Sequence, residues 1–334
     1  MMNMKKDENE FEVVELEQGG GGQKSSELIG AIRSILNEKG KWKNSMDDGA
    51  TLKIGNQYLV FTTDAYIVDP IYFPGGDIGK ISVCGTINDL AMMGAVPQGL
   101  SLSMVIEEGF PKKDLMRIVE SIKKMSKEAG VPIATGDTKV MPKGKIDKIE
   151  ITTAGVGLAK KIISNGGIKK GDVIISSGDL GEHTVALLSE RFNYQTTLVS
   201  DSKTLHREIK EVGKFLHSAK DPTRGGLSAN IIEMAEKSKV RIILEEGLLP
   251  YKKETMALAG LLGLDVFSFA SEGRFICAVA EKDAEKVLKI LKKFNKEAKI
   301  IGRAEKGSEV YLKTELGSLR HIEMPRGKLV PRIC

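Results

Sequence analysis

Ile78-Gly79-Lys80-Ile81-Ser82-Val83-Cys84-Gly85-Thr86-Ile87-Asn88-Asp89-Leu90-Ala91-Met92-Met93-Gly94 is apolar on nearly every side of a helical projection. A helix without a polar face belongs in a protein interior. This one nevertheless carries Asp89, and an unpaired charge at such a place costs several kcal/mol. The stretch predicts a buried helix that holds a working carboxylate. Around it, strands are predicted over 58–68 and 98–107. A helix is predicted over 112–129, with Leu115, Ile118, Val119, Ile122, Met125 and Ala129 as its stripe and Gly130 as its cap. Residues 131–135 lead into Gly136-Asp137-Thr138-Lys139, read as a turn, and a strand over 149–158 closes the first half.

The second half reads as a buried strand (171–177), a turn through Gly178-Asp179-Leu180-Gly181 and a helix over 183–192. Another helix follows Asp221-Pro222-Thr223-Arg224-Gly225-Gly226, with Leu227, Ile231, Met234 and Ala235 inward. Strands near Arg241 and over 275–280, a helix over 283–295, a strand over 300–304 and a hairpin about Gly317 complete it. Before the central helix come a short strand over 11–16, the run Gly19-Gly20-Gly21-Gly22 and a helix from about Ser25. Strands and helices intermix throughout, which argues for an α+β or α/β chain. Its 334 residues exceed one compact core. The expected division is a disordered 1–10, a first domain over 11–160, a second over 161–322, and a mobile tail over 323–334.

Fifty basic residues against 45 acidic give a net charge of +5 spread along the chain, and aromatics are only 5%. No basic block is interleaved with stacking side chains, so no nucleic-acid surface is expected. The three cysteines form no close pair, which excludes a disulfide framework or zinc knuckle and suits a reducing cytoplasm. No apolar run is long enough to span a membrane, and residues 1–10 lack a signal peptide's apolar region.

The glycine run feeds a helix start, where free N–H groups and the helix dipole favour anions. It is not a Walker loop, because Gln23 and Gln18 stand where that pattern needs glycine. Asp47, Asp48, Asp64, Asp89 and Asp137 sit near element ends. Singly, each is the ordinary cap or turn aspartate. As a set, with Asp89 in a core helix, they point to Mg²⁺ and a nucleotide, since that cation takes oxygen ligands from protein, phosphate and water. Lys139, the Asp221–Arg224 turn and Glu272 each have a bland reading too: exposed lysine, capping motif, loop carboxylate. The last residue, Cys334, ends a proline-punctuated run, Pro331-Arg332-Ile333-Cys334, whose backbone favours extension. A thiol there can travel to a site elsewhere in the chain.

Thr63-Asp64, Phe73-Pro74-Gly75-Gly76-Asp77-Ile78-Gly79, the 85–97 segment, Glu107-Glu108-Gly109-Phe110, Gly136-Asp137-Thr138-Lys139-Val140, Gly181-Glu182-His183, 221–227, 271–274 and the Pro-Arg-Ile-Cys ending together resemble the HypE family of hydrogenase maturation proteins. That family lies within the aminoimidazole ribonucleotide synthetase and selenophosphate synthetase ATP-binding superfamily, and the resemblance covers residues 11–334. It implies a two-domain α+β fold whose N-terminal half pairs into a β-barrel across a homodimer, with a C-terminal α/β sandwich and a flexible tail.

The same resemblance implies ATP-dependent dehydration of a carbamoyl group on Cys334 to a thiocyanate, the source of cyanide for an iron centre. Cys334 would be the carrier, Lys139 a neutralising cation and Glu272 the base. Asp48, Asp64, Asp89 and Asp137 would hold Mg²⁺. Asn88, Thr138, Gly19, Gly20, Gly21, Gly22, Asp221 and Arg224 would join the carboxylates around ATP. Partners would be a carbamoyltransferase (HypF-like) and an iron-bearing scaffold (HypC–HypD-like). Glu17-Gln18 replaces the family's usual histidine and glycine before the glycine run. Rival expectations are a non-catalytic carrier of the modified thiol, and a related synthetase such as selenophosphate synthetase, which places its reactive thiol near the N-terminus.

Overall fold

A computed structural model describes residues 13–36, 40–325 and 332–334. The disorder expected of 1–10 and the middle of the expected tail, 326–331, lie outside them. In the first half the order is α1 (Gly22–Ile35), β1 (Ala50–Ile54), β2 (Gln57–Tyr66), the short pair β3 (Tyr72–Phe73) and β4 (Gly76–Asp77), and α2 (Ile78–Met92). Then come β5 (Val96–Glu107), α3 (Lys112–Ala129), β6 (Ile133–Met141) and β7 (Ile149–Ala159). The sheet runs β1-β2-β7-β5-β6, antiparallel except for the parallel β5–β6 pair.

The central helix α2 is buried almost end to end, as its composition requires. Asp77 caps it, accepting from Lys80 N at 2.8 Å. Ile78, Ile81 and Ile87 of α2 share one core with Leu100, Ile149 and Ile151 of the sheet and Ile118 and Ile122 of α3. Each such side chain contributes about 1.5–3 kcal/mol on burial. Helix α3 has the bounds its stripe implies, and Gly130 caps it in the left-handed conformation.

The second half adds β8 (Asp172–Ser176), α4 (Glu182–Phe192), α5 (His206–Val212), β9 (Leu216–Lys220), α6 (Gly226–Ser238), β10 (Val240–Glu245) and α7 (Lys253–Leu262). It ends with β11 (Ile276–Ala280), α8 (Glu281–Leu291), β12 (Lys299–Lys306), β13 (Val310–Lys313) and β14 (Leu319–His321). Its sheet runs β14-β13-β10-β12-β8-β11-β9. Successive residues of β8 serve opposite faces. Ile174 packs with α4, α6 and α7, whereas Val173 and Ile175 pack with α5 and α8. Ala91 and Met92 of α2 enter that second core, so the central helix joins the halves.

Three local expectations change. Gly136-Asp137-Thr138-Lys139 is the middle of β6, not a turn. A Cβ on Gly136 would come within 2.5 Å of Leu102 O, so this glycine serves close strand approach. Helix α1 begins at Gly22, ahead of Ser25, and 13–15 form no strand. Strands β1 and β9 and helices α5 and α7 were not legible as such in the sequence.

Candidate functional site

The two halves meet at a cleft of about 310 Å³ lined by Gly21, Gly22, Asp48, Thr62, Asp64, Asp89, Lys220, Asp221, Arg224 and Glu233, among others. The first half supplies carboxylates from three directions. Asp48 precedes β1, Asp64 rides on β2, and Asp89 projects from α2. The second half supplies the end of β9 and the loop into α6. Thr62 Oγ1 donates to Asp89 Oδ2 at 2.8 Å, and Tyr66 Oη donates to Asp64 Oδ2 at 3.0 Å. Lys220 Nζ lies 3.1 Å from Asp48 Oδ1 and 3.0 Å from Glu233 Oε2. Arg224 Nη2 stands 3.7 Å from Asp64 Oδ1.

Asp64, Asp89 and Asp221 hold their protons more tightly than usual. Burial raises the pKa of Asp64 despite the opposing Arg224. Burial, with Asp64, Asp221 and Asp48 as neighbours, pushes Asp89 well up. Asp221 is pushed up to about 8 by burial and by Asp48. Mutual repulsion of this kind is relieved by a cation.

The donor set fits Mg²⁺ carried in by a nucleotide. Oxygens are the atoms that converge, and buried Asp48 Oδ2 has no hydrogen-bond partner among the described residues. Among those residues no three acidic, histidine or cysteine side chains form a ready-made metal cage. Mg²⁺ commonly keeps few protein ligands and takes the rest from phosphates and water.

The tail reaches the inner side of this cleft. Ile67 N–H donates to Cys334 O at 3.2 Å and Asp69 N–H to Arg332 O at 3.1 Å, so main-chain bonds hold the last residues beside 67–69. Arg332 Nε donates to Ile67 O at 2.9 Å, and its guanidinium also pairs with Asp147. Ile333 is buried in the first-half core. Cys334 keeps part of its surface. The packing around its thiol still pushes that pKa well up, with Arg224 opposing and Glu272, Asp64 and Asp221 adding to the rise. The pKa of Arg224 is raised in turn, by Cys334 first and then by Asp64 and Glu272, against burial. Glu272 is 2% exposed, and its Oε1 has no hydrogen-bond partner among the described residues. Burial, then Asp221, Asp201 and Asp64, push its pKa well up, against Arg224.

The structure thus brings Cys334, Glu272, Arg224, Asp48, Asp64, Asp89, Asp221, Gly21 and Gly22 to one region. Gly19 and Gly20 do not line the cleft. Neither does Asn88: its Nδ2 donates to Lys203 O at 3.0 Å and Glu272 O at 3.3 Å, and its Oδ1 accepts from Leu205 N at 2.8 Å. It straps α2 to the segment that carries Glu272. Asp137, Thr138 and Lys139 lie on exposed β6, at the free edge of the sheet, where Lys139 Nζ pairs with Asp137 Oδ2 at 3.0 Å. Lys220, Glu233 and Tyr66 escaped the sequence reading. Lys220 had one signal, a basic residue directly before Asp221.

Two family models match the chain: AIR synthase related protein, N-terminal domain, over 46–159, and its C-terminal domain over 169–315. A putative hydrogenase expression/formation protein of Methanocaldococcus jannaschii is 44% identical over 95% of this chain and 98% of its own. The carbamoyl dehydratase HypE of Rhizobium leguminosarum bv. viciae is 40% identical over 96% and 95%. Among solved structures, a HypE–HypF complex superposes with TM-score 0.84 at 36% identity, covering 89% of this chain and 99% of that one. HypE in complex with ATP gives 0.81 at 35%, covering 96% and 100%.

Proposed function

The chain belongs to the HypE carbamoyl dehydratase family, and from that premise we propose that it matures hydrogenase by dehydrating a carbamoyl group on its own Cys334 to a thiocyanate, at the expense of ATP. One observation carries the reading: the tail is seated so that the Cys334 thiol feels Arg224, Glu272, Asp64 and Asp221 beside the carboxylate cleft.

An amide oxygen leaves poorly, and phosphorylation makes it a phosphate, which leaves well. The carbamoyl oxygen takes the terminal phosphoryl group and ADP departs. Both amide hydrogens are removed in succession, the C–O bond breaks, and a nitrile remains on sulfur. Glu272, ionised, takes one of the two protons, a carboxylate with a raised pKa being the stronger base, and the departing phosphate carries off the other. Arg224, held charged, steadies the oxygen as negative charge gathers there. Asp48, Asp64 and Asp89 would hold Mg²⁺, which neutralises phosphate charge when bound. Gly21 and Gly22, at the start of α1, offer N–H groups to phosphate.

We assign Asp137, Thr138 and Lys139 to a nucleotide site shared in a homodimer. Their strand is a free sheet edge, and the open sheet face carries Phe61, Val156 and Leu158 at 38–41% exposure. Patches of this kind mark interfaces. By likeness to the HypE–HypF structure, a HypF-like carbamoyltransferase would load the thiol, and a HypC–HypD-like scaffold would receive the cyanide. Unpaired cysteines suit the cytoplasm. No helix among the described residues is long and apolar enough to cross a membrane.

Mass spectrometry tests the reading. Carbamoylated protein given Mg²⁺ and ATP should lose one water from its C-terminal peptide and release one ADP per loss. An unchanged peptide under those conditions would mean a carrier and not a dehydratase.

A further inference from the structure

His183 is fully buried, and its ring is fixed on three sides. Nδ1 lies 2.8 Å from Ser200 Oγ, Nε2 lies 2.7 Å from Ile333 O, and the Phe73 ring meets it edge-on at 5.2 Å between centroids. A carbonyl oxygen only accepts, so Nε2 bears the hydrogen. In a neutral ring Nδ1 then accepts, and Ser200 Oγ–H donates to it. Ser200 Oγ also accepts from Ser202 N at 3.2 Å, which leaves its single hydrogen for His183. Burial favours the neutral ring by lowering its pKa.

Among the described residues nothing else donates to the carbonyl it reads. Arg332 O and Cys334 O face the 67–69 segment and bond to its N–H groups. Between them the Ile333 carbonyl turns instead to the His183 ring. Ile333 is 5% exposed, so without His183 that oxygen would be left unpaired in the interior. It lies one residue before the thiol.

We propose that His183 is a positioning residue of the dehydration step: it latches the tail at Ile333 and thereby fixes the Cys334 sulfur beside Arg224 and Glu272. This rests on the tail being the enzyme's own substrate, and the test is therefore one that runs without the reaction. Iodoacetamide is added to the full-length protein without nucleotide, and each cysteine's labelling rate is read by mass spectrometry. Cys84 and Cys277 are fully buried and report any unfolding.

In H183F, Cys334 should label roughly tenfold faster, the value of one lost buried hydrogen bond. H183Q, which keeps a donor near the Nε2 position, should label close to the unaltered rate. On carbamoylated protein, H183F should slow dehydration by a comparable factor while loading of Cys334 by the carbamoyltransferase stays as fast or faster. An unchanged Cys334 rate in H183F with Cys84 and Cys277 still protected overturns the latch, as does H183Q behaving like H183F. Should H183F expose the inner cysteines, S200A replaces it. That variant removes the hydroxyl that sets the tautomer and should also speed Cys334 labelling; an unchanged rate there overturns the latch equally. Failure of the unaltered protein to dehydrate would sink the proposed function while leaving the labelling result intact.

Discussion

Burial, with Asp221, Asp201 and Asp64 as neighbours, pushes the pKa of Glu272 well up against Arg224. As the proposed base its contribution should be to proton removal and not to binding. E272Q is expected to lower the dehydration rate by about 10²–10⁴-fold, the usual worth of a general base, with ATP affinity nearly unchanged by calorimetry. K139A should weaken the same single-turnover rate; full activity would remove Lys139 from the mechanism. The aspartates carry a pH consequence. Asp221 is raised to about 8 from an unfolded value near 3.9. The folded protein thus keeps a proton that the unfolded chain releases, and stability present below about pH 4 is lost as pH rises through about 8. The thermal midpoint of the nucleotide-free protein should fall across that window, and saturating Mg²⁺–ATP should flatten the slope. Asp89 was legible in the sequence because a carboxylate in an apolar helix is costly. Asn88 beside it carried the same signal and a different duty, since an amide can be satisfied by main-chain groups that a sequence does not place.

Among elements, the docked tail is the most exposed to test. Cys334 O is already taken by Ile67 N–H. An alanine added after Cys334 would turn that terminal carboxylate into an amide and would need room beside Glu272. Dehydration of the carbamoylated variant should fall at least tenfold, read by the water loss of its C-terminal peptide; turnover at the unaltered rate would contradict the seating. Helices α2 and α3 were readable because burial writes itself into their period. Strand β6 was misread because a glycine needed for close strand contact looks, in sequence, like a glycine needed for a turn. Segments such as α5 and β9 are short, and their form comes from the layers on either side.

At the scale of the molecule, the cleft exists only because α2 ties two sheets together, and Asp64 and Arg224 come from opposite sides of that seam. Phe61 and Val156 stand opposite each other on the open face of the first sheet. A charge there, as in V156E, should shift the protein to monomers in sedimentation, and if β6 serves a second copy the dehydration rate should fall with it. The intermixing of strands and helices in both halves was legible from periodicity, and the α+β class followed from the family resemblance. Which outward face is left for another molecule was not, because apolar residues bound for a core and for a partner look alike in one dimension.

The seated C-terminus also changes what kinetics can mean for this catalyst. Reactant and machinery are one covalent body, so the thiocyanate-forming step should follow first-order decay whose time constant survives hundredfold dilution. No Michaelis constant exists for the carbamoyl group. A competitor from solution must outbid a local concentration that a short tether holds at the millimolar level or above, and each molecule, once spent, waits for a courier before it can fire again.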